Sequence, residues 1–262
     1  MTSLVEQPVV LAVGAHPDNV ELLSAGTLAL LRQRGWRVVI GALTSGDPEP
    51  RAGVNGPLGR VRHEQMRRAA GVLDAECVCL EMSEFGVVYS DEACRRVTAL
   101  VRAVRPALVL THGPQDATPD HEETSRLLRQ ACFAAPVQEY ATPDFGPEGA
   151  AATGRIPHLY YFDPFELIDV FGRPVDPTLI VEITPAMELK ERLLAQYVPD
   201  AGEAEAYRGV GWYVDEVRCW AKRRGERIGR AYGEGFRQHV GSPFPRDNLL
   251  RDVLGESVYV LS

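Results

Sequence analysis

A nearly unbroken apolar run near the start of the chain, residues 8–15 (PVVLAVGA), constrains the fold more than any other feature. Such a run is typical of a strand covered on both faces, as in a parallel sheet. Helical spacing follows from Pro17 and stops at Gly35, where glycine suits the left-handed position after a helix. Residues 36–44 predict the next strand. The chain therefore starts as a strand–helix–strand unit.

The same alternation continues through the first half of the chain. Helices are predicted at residues 60–73 and 91–104, strands at 76–80 and 107–111, and a further helix around 121–132. Strands that alternate with helices in this way connect by right-handed crossovers and form a doubly wound sheet. The predicted fold class is therefore α/β, with a mostly parallel, Rossmann-like sheet and helices on both faces.

The second half of the chain is less regular. Residues 135–156 are rich in proline, glycine, alanine and threonine and are predicted to form a lid or rim. Strands are predicted at 158–162 and 178–184, and a helix from Pro185 to about residue 197. Residues 204–236 interleave both charge signs and are predicted to be mostly helical.

Length and composition predict one domain over residues 1–262, with the sheet core at about 8–134 and additional elements at 135–262. The net charge of −8 argues against a nucleic-acid partner or an anionic membrane surface, which both require a positive field. No apolar run reaches the length of a membrane span, and the start lacks the order of a signal peptide. We expect a cytoplasmic protein with a small-molecule substrate and no membrane insertion; a homo-oligomer stays open.

Polar motifs follow three of the predicted strands. Residues 16–19 (HPDN) follow the first strand and residues 44–47 (TSGD) the second, while Thr111-His112 and the PDH sequence at 119–121 follow the fourth. In an open parallel sheet, ligands bind beyond the carboxyl ends of the strands. Two histidines and several carboxylates converging there suggest a divalent metal with an open coordination position, which suits zinc.

These motifs resemble those of the PIG-L, or LmbE-like, family of metal-dependent deacetylases. The sequence AHPDNVE at 15–21 is similar to the family's first motif, AHPDD followed shortly by Glu. The sequence THGPQDATPDH at 111–121 is similar to its second motif, HPDH. Weaker similarities continue at 181–184 (VEIT), Lys190 and 232–236 (YGEGF), so the resemblance covers nearly the whole chain.

The resemblance implies a function and a set of roles. In the family, zinc is held by the histidine and second aspartate of the first motif and the last histidine of the second, and the first aspartate is the general base. Carried over, His16, Asn19 and His121 are the expected metal ligands and Asp18 the base, and Thr118 is the expected second catalytic residue. The implied enzyme is a zinc-dependent hydrolase that removes an N-acyl (acetyl) group from an amino sugar or related small molecule.

Two positions depart from the family pattern. Asn19 stands where the family has its second aspartate, and it brings no negative charge, so zinc is expected to bind weakly or not at all. Thr118 replaces the first histidine of the distal motif and can donate a hydrogen bond without carrying a positive charge. Three loop carboxylates are expected to contact the substrate or to replace the missing ligand: Asp47, Asp116 and Asp120.

Other interpretations of the same residues stay open at this point. One alternative is a family member that has lost hydrolysis and only binds a small molecule. Another is a lyase or hydratase, since a metal beside a carboxylate base also serves addition of water. His112 is expected to stabilise its loop through backbone hydrogen bonds. The helix after the second-strand loop can turn Arg60, Arg62 and Glu64 toward the crevice, but a solvated helix face is the expected position for them.

Overall fold

The computed structural model describes residues 7–48, 56–144, 151–197 and 210–261, with side chains in the last range described from residue 214. The predictions made for residues 145–150 of the lid or rim and for residues 204–209 lie outside these ranges.

The described residues alternate between strands and helices over the first half. The strands are β1 (Val9–Gly14), β2 (Arg37–Thr44), β3 (Glu76–Met82), β4 (Leu108–Thr111), β5 (His158–Phe162), β6 (Leu179–Glu182), β7 (Gly233–Gln238) and β8 (Val258–Val260). The helices are α1 (Asn19–Gln33), α2 (Pro57–Val72), α3 (Asp91–Val104), α4 (Pro119–Ala134), α5 (Met187–Leu194), α6 (Val210–Glu226) and α7 (Leu249–Leu254).

All of these strands belong to one sheet in the order β3-β2-β1-β4-β5-β7-β6-β8. The first five are parallel, and the pairs formed by β7, β6 and β8 are antiparallel. The predicted α/β fold with a mostly parallel sheet is confirmed. The chain runs outward from β1 to β3 and then returns to the other side of β1, so the strand order reverses between β1 and β4. Ligand crevices form at such reversals.

Strand β1 lies in the middle of the core, as its apolar run predicts. Val10 and Ala12 contribute to the apolar layer on one face of the sheet, beside α1, α2 and α5, while Leu11 and Val13 contribute to the layer under α3 and α4. All six residues of the strand are buried. No helix in the described part of the chain combines the length and apolarity needed to cross a bilayer.

The predicted helical character of residues 204–236 is wrong at its end. Helix α6 stops at Glu226, and strand β7 fills the sheet between β5 and β6. The sequence of β7 does not show the apolar pattern of a strand, because Gly233 and Gly235 alternate with larger residues. A Cβ on Gly235 would lie 2.1 Å from Asp163 Oδ2, so this glycine is present because another side chain occupies its space.

The buried carboxylate of Glu234 ties β7 to α5 through an ion pair and to the first helix through hydrogen bonds. The Glu234 carboxylate accepts hydrogen bonds from Lys190 Nζ at 2.6 Å and from the backbone amides of Gly26 and Thr27 at 2.9 and 2.7 Å. The Thr27 hydroxyl donates to the same carboxylate at 2.6 Å. Lys190 and Glu234 are 2% and 4% exposed. The four donors satisfy a charge that would otherwise be costly to bury.

Replacing Lys190 by Met should lower the free energy of unfolding by about 3–5 kcal/mol, because Glu234 then stays buried without its counter-charge. The matched control is Arg218→Ala, which breaks the exposed Arg218–Glu191 pair and should cost less than about 1 kcal/mol. Urea denaturation of the three proteins measures both effects. Equal losses in the two variants would contradict the assigned importance of the buried pair.

Candidate active site

A cavity of about 160 Å³ opens beyond the carboxyl ends of the central strands. Val13 of β1 pairs with Thr111 of β4, so the loops after the two strands leave the sheet at the same level. The cavity is lined by the first motif from His16 to Asn19 and by Thr118 and His121 from the second motif. The sheet thus brings together two sequences that lie about a hundred residues apart.

The first motif forms a tight turn between β1 and α1. Asp18 has φ of 94°, in the left-handed region, which costs a non-glycine residue about 1–2 kcal/mol. Its carbonyl oxygen accepts a hydrogen bond from the amide of Leu22 at 2.9 Å, so α1 begins directly after it. A Cβ on Gly14 would lie 2.6 Å from the Cβ of Asn19, so the turn also requires glycine at position 14. This turn places the Asp18 side chain in the cavity wall.

Hydrogen bonds fix the carboxamide of Asn19 inside this turn. Its Oδ1 accepts the backbone amide of His16 at 3.0 Å, and its Nδ2 donates to Asp18 Oδ1 at 3.0 Å. Oδ1 also lies 3.0 Å from Nε2 of His112. Asn19 therefore offers Asp18 an NH₂ group, which donates hydrogen bonds and is no metal ligand.

Two histidines meet at the cavity, each with a carboxylate behind it. His16 Nε2 lies 3.0 Å from Asp120 Oδ2, and His121 Nδ1 lies 2.9 Å from Asp116 Oδ1. Metal-binding histidines characteristically give their second ring nitrogen to such a partner. The nitrogens left for a metal are Nδ1 of His16 and Nε2 of His121, on rings whose centroids are 5.3 Å apart and tilted by 51°.

The two carboxylates are themselves held by backbone amides. Asp120 accepts hydrogen bonds from the amides of Phe85 and Val87 at 2.8 and 3.3 Å, in the loop that follows β3. Asp116 accepts from the amide of Thr118 at 3.3 Å. Both carboxylates are buried, so the orientation of each histidine ring is set by a fixed partner.

His112, Asp116 and His121 bring donor atoms within 4.8 Å of one another, and such a group could hold a metal ion. His112, however, stacks on His121 with 3.8 Å between centroids and 13° between planes. The lone pairs of imidazole lie in the ring plane, so stacked rings direct them along nearly parallel lines and away from a common ion. The rings of His16 and His121 are tilted by 51° and both line the cavity, so this pair is the better candidate for a metal site. Imidazole nitrogens are common metal ligands, and Asp18 lies on the same cavity wall.

Burial raises the pKa of Asp18 above its ordinary value, and the Arg62 guanidinium, whose Nη1 lies 4.0 Å from Asp18 Oδ2, opposes the shift. A carboxylate with a raised pKa is a stronger base. Burial lowers the pKa of His112 well below its usual range, so its ring is neutral. Burial also raises the pKa of Glu21, just behind the turn, to about 7.

The predicted site residues fall into three groups: residues that line the cavity, residues behind its two histidines, and residues next to it. Those that line it are His16, Asp18, Asn19, Thr118 and His121. Asp116 and Asp120 lie behind the two histidines and bond their rings. Asp47 is buried next to the cavity, between its lining residue Gly46 and the start of α2, and does not line it. His112 bonds the backbone amide of Ala15, as expected for a loop-stabilising residue, and also contacts the site.

Arg62, Glu84 and Phe165 also line the cavity, with Leu22 and Gly46. The prediction of a solvated position for Arg62 is wrong, because its side chain is 19% exposed and faces Asp18. Helix α2 starts at Pro57, and the amino ends of such helices lie at the same sheet edge as the strand ends, which is the signal that identifies Arg62. Phe165 follows β5 and packs its ring against the edge of His121, with 5.3 Å between centroids.

Comparisons with known proteins show the family to which this chain belongs. The sequence profile of the PIG-L family, described as GlcNAc-PI de-N-acetylase, matches residues 11–132. A relative from Escherichia coli K12 named "Uncharacterized deacetylase YaiS" is 34% identical over 145 residues, which make up 51% of this chain and 74% of the relative. The chain belongs to the PIG-L family. The predicted resemblance and the prediction of an enzyme are thereby confirmed.

Solved structures share the fold of this PIG-L member. N,N'-diacetylchitobiose deacetylase of Pyrococcus horikoshii superposes with a TM-score of 0.69 at 23% identity, over 92% of this chain and 88% of that one. The 4-carboxy-2-hydroxymuconate hydratase GalB of Pseudomonas putida KT2440 superposes with a TM-score of 0.71 at 20% identity, over 92% of this chain and 98% of that one. At 20% and 23% identity, these similarities show that the chain shares the fold of the two proteins.

Changing Asn19 to Asp should raise zinc affinity, because a carboxylate oxygen replaces the NH₂ group beside Asp18. The gain should reach at least the roughly tenfold that changes around metal ligands typically make. Competition with a zinc chelator measures it. Asn248→Asp is the matched control, since Asn248 caps α7 outside the site. Equal zinc affinity in the wild type and the Asn19→Asp variant would contradict the assigned geometry.

Proposed function

We propose that this protein is a metal-dependent hydrolase that removes an N-acetyl group from an amino sugar or a related small molecule. The observation that carries the proposal is the convergence of His16, His121 and Asp18 on one cavity, with a buried carboxylate behind each histidine. Membership of the PIG-L family supports it. The hydratase alternative has a similar fold in its favour, whereas the family profile and the E. coli relative both carry deacetylase names.

His16 and His121 would hold the metal through Nδ1 and Nε2, and zinc suits two imidazoles with neighbouring oxygens. When bound, it supplies Lewis acidity toward the amide carbonyl and toward water. Asn19 has its oxygen engaged by the backbone amide of His16, and this supports the proposal that zinc binds more weakly here than to a site with a carboxylate at the same position.

Asp18 is proposed as the general base. It takes a proton from water while the water oxygen bonds to the acetyl carbon, and it then gives that proton to the nitrogen as the carbon–nitrogen bond breaks, releasing acetate and the free amine. The Nδ2 of Asn19 donates to Asp18 Oδ1 and so holds one oxygen, leaving Oδ2 for the proton. General acid–base catalysis of this kind contributes about 10²–10⁴-fold in rate.

Thr118 and Arg62 are proposed to stabilise the negative charge that develops on the acetyl oxygen. Both line the cavity, and the Arg62 guanidinium supplies the positive charge that Thr118 lacks. Glu84, on the same wall, is an acceptor for substrate hydroxyls. A cavity of about 160 Å³ accommodates an acetyl group and the near part of one sugar ring, which supports a small substrate.

Replacing Asp18 by Asn should lower kcat for acetate release by about 10²–10⁴-fold, because the amide keeps the size of the side chain and cannot take the proton. The assay uses zinc-supplemented protein with N-acetylglucosamine and N,N'-diacetylchitobiose. Asp176→Asn, at an exposed position on the surface, is the matched control and should leave kcat unchanged. An Asp18→Asn enzyme with wild-type turnover would refute the assigned base.

A further inference from the structure

A hydrogen bond between Tyr197 and Glu21 joins two distant parts of the chain behind the cavity. The Tyr197 hydroxyl donates to Glu21 Oε1 at 2.7 Å, across 176 positions of sequence. The two residues are 6% and 1% exposed. Neither lines the cavity, so their contact serves something other than direct substrate binding there.

The pair lies directly against the turn that carries Asp18. Glu21 is in the first turn of α1, three residues after Asp18. The amide of Leu22, the residue after Glu21, donates to the Asp18 carbonyl oxygen at 2.9 Å. The Tyr197 hydroxyl therefore bonds the helix turn that starts directly after the residue in the left-handed conformation.

The left-handed backbone of Asp18 requires such support. A non-glycine residue stays in this region only where its surroundings fix it. Asn19 holds the Asp18 side chain and Leu22 bonds its carbonyl oxygen, and Tyr197 bonds Glu21 in the same helix turn. Burying a carboxyl and a hydroxyl group costs more free energy than burying apolar groups of the same size. Core packing alone therefore gives no reason for a polar pair at this place.

The turn that contains Tyr197 also packs against a second helix of the site. Tyr197 ends a short 3-10 turn, Ala195–Tyr197, that follows α5 and packs against α2, the helix that carries Arg62. This single turn contacts α1, through Glu21, and α2, which are two of the helices whose amino ends deliver side chains to the cavity wall.

We infer that Tyr197, with Glu21 as its partner, is a positioning residue that holds Asp18 in its left-handed conformation and so aims its carboxylate into the cavity. The inference rests on the proposed role of Asp18 as the general base. Loss of the hydroxyl lets the turn relax, and a misplaced base lowers the rate of the chemical step while leaving substrate binding unchanged.

The kinetic test compares Tyr197→Phe with Tyr160→Phe in zinc-supplemented protein with an N-acetyl amino sugar. Tyr160 is the matched control because its buried hydroxyl donates to Asn248 Oδ1 at 3.1 Å, outside the cavity. Tyr197→Phe should lower kcat by about tenfold to a hundredfold with KM within about twofold. Tyr160→Phe should lower stability to a similar degree and leave kcat unchanged.

Glu21 provides the rescue experiment. Glu21→Gln keeps an oxygen that accepts the Tyr197 hydrogen bond, so it should retain most of the wild-type kcat. Glu21→Ala removes that acceptor and should match Tyr197→Phe. If Glu21 and Tyr197 were purely structural, Glu21→Gln and Glu21→Ala would both have a lower melting temperature and would not differ in kcat.

Crystal structures of the two tyrosine variants give a readout that does not depend on activity. Asp18 should leave the left-handed region in Tyr197→Phe and keep it in Tyr160→Phe. Unchanged φ of Asp18 together with unchanged kcat in Tyr197→Phe would overturn the inference. If the wild-type protein hydrolyses no N-acetyl substrate, the proposed function fails, and the crystal structures still decide whether Tyr197 positions Asp18.

Discussion

The parallel pairing of β1 with β4 sets the distances within the candidate site. The two strands are in register from Val10 opposite Leu108 to Val13 opposite Thr111. A slip of one residue would move the second motif by about 3.3 Å along the sheet and turn its side chains to the other face. The contact between His16 and Asp120 spans 3.0 Å and would not survive such a shift. The apolar packing on both faces of β1, which fixes the register, is thus also what brings the chemical groups together.

The sequence predicted best those parts that depend on local pattern. The central parallel strands β1, β2 and β4 are nearly continuous apolar runs because helices cover both of their faces, and motif residues next to strand ends, such as His16 and His121, follow from the sheet. Strand β7 escaped prediction because its glycines make room for neighbouring side chains that only the folded chain brings near. Arg62 and Tyr197 escaped for a related reason, since each contacts the first motif across a long stretch of sequence.

Asn19 shows how a resemblance and a local geometry add different information. The resemblance assigns this position to a metal ligand, and the hydrogen bonds show what the carboxamide does in this chain. Its oxygen accepts from His16 and its nitrogen donates to Asp18, so one side chain organises the two neighbouring functional residues. Asn19 occupies the position of the family's aspartate, but toward Asp18 it presents an NH₂ group that donates, where a carboxylate would accept.

The hydrogen bonds from Gly26 and Thr27 to Glu234 affect the order in which the chain folds during synthesis. These hydrogen bonds span 208 and 207 positions, so helix α1 emerges from the ribosome long before the carboxylate that completes its contacts. Contacts of such separation form late in folding because the intervening loop must first be closed. Helix α1 is therefore among the last elements to reach its final surroundings, and a ribosome-bound chain lacking β7 would leave the amides of Gly26 and Thr27 without these partners.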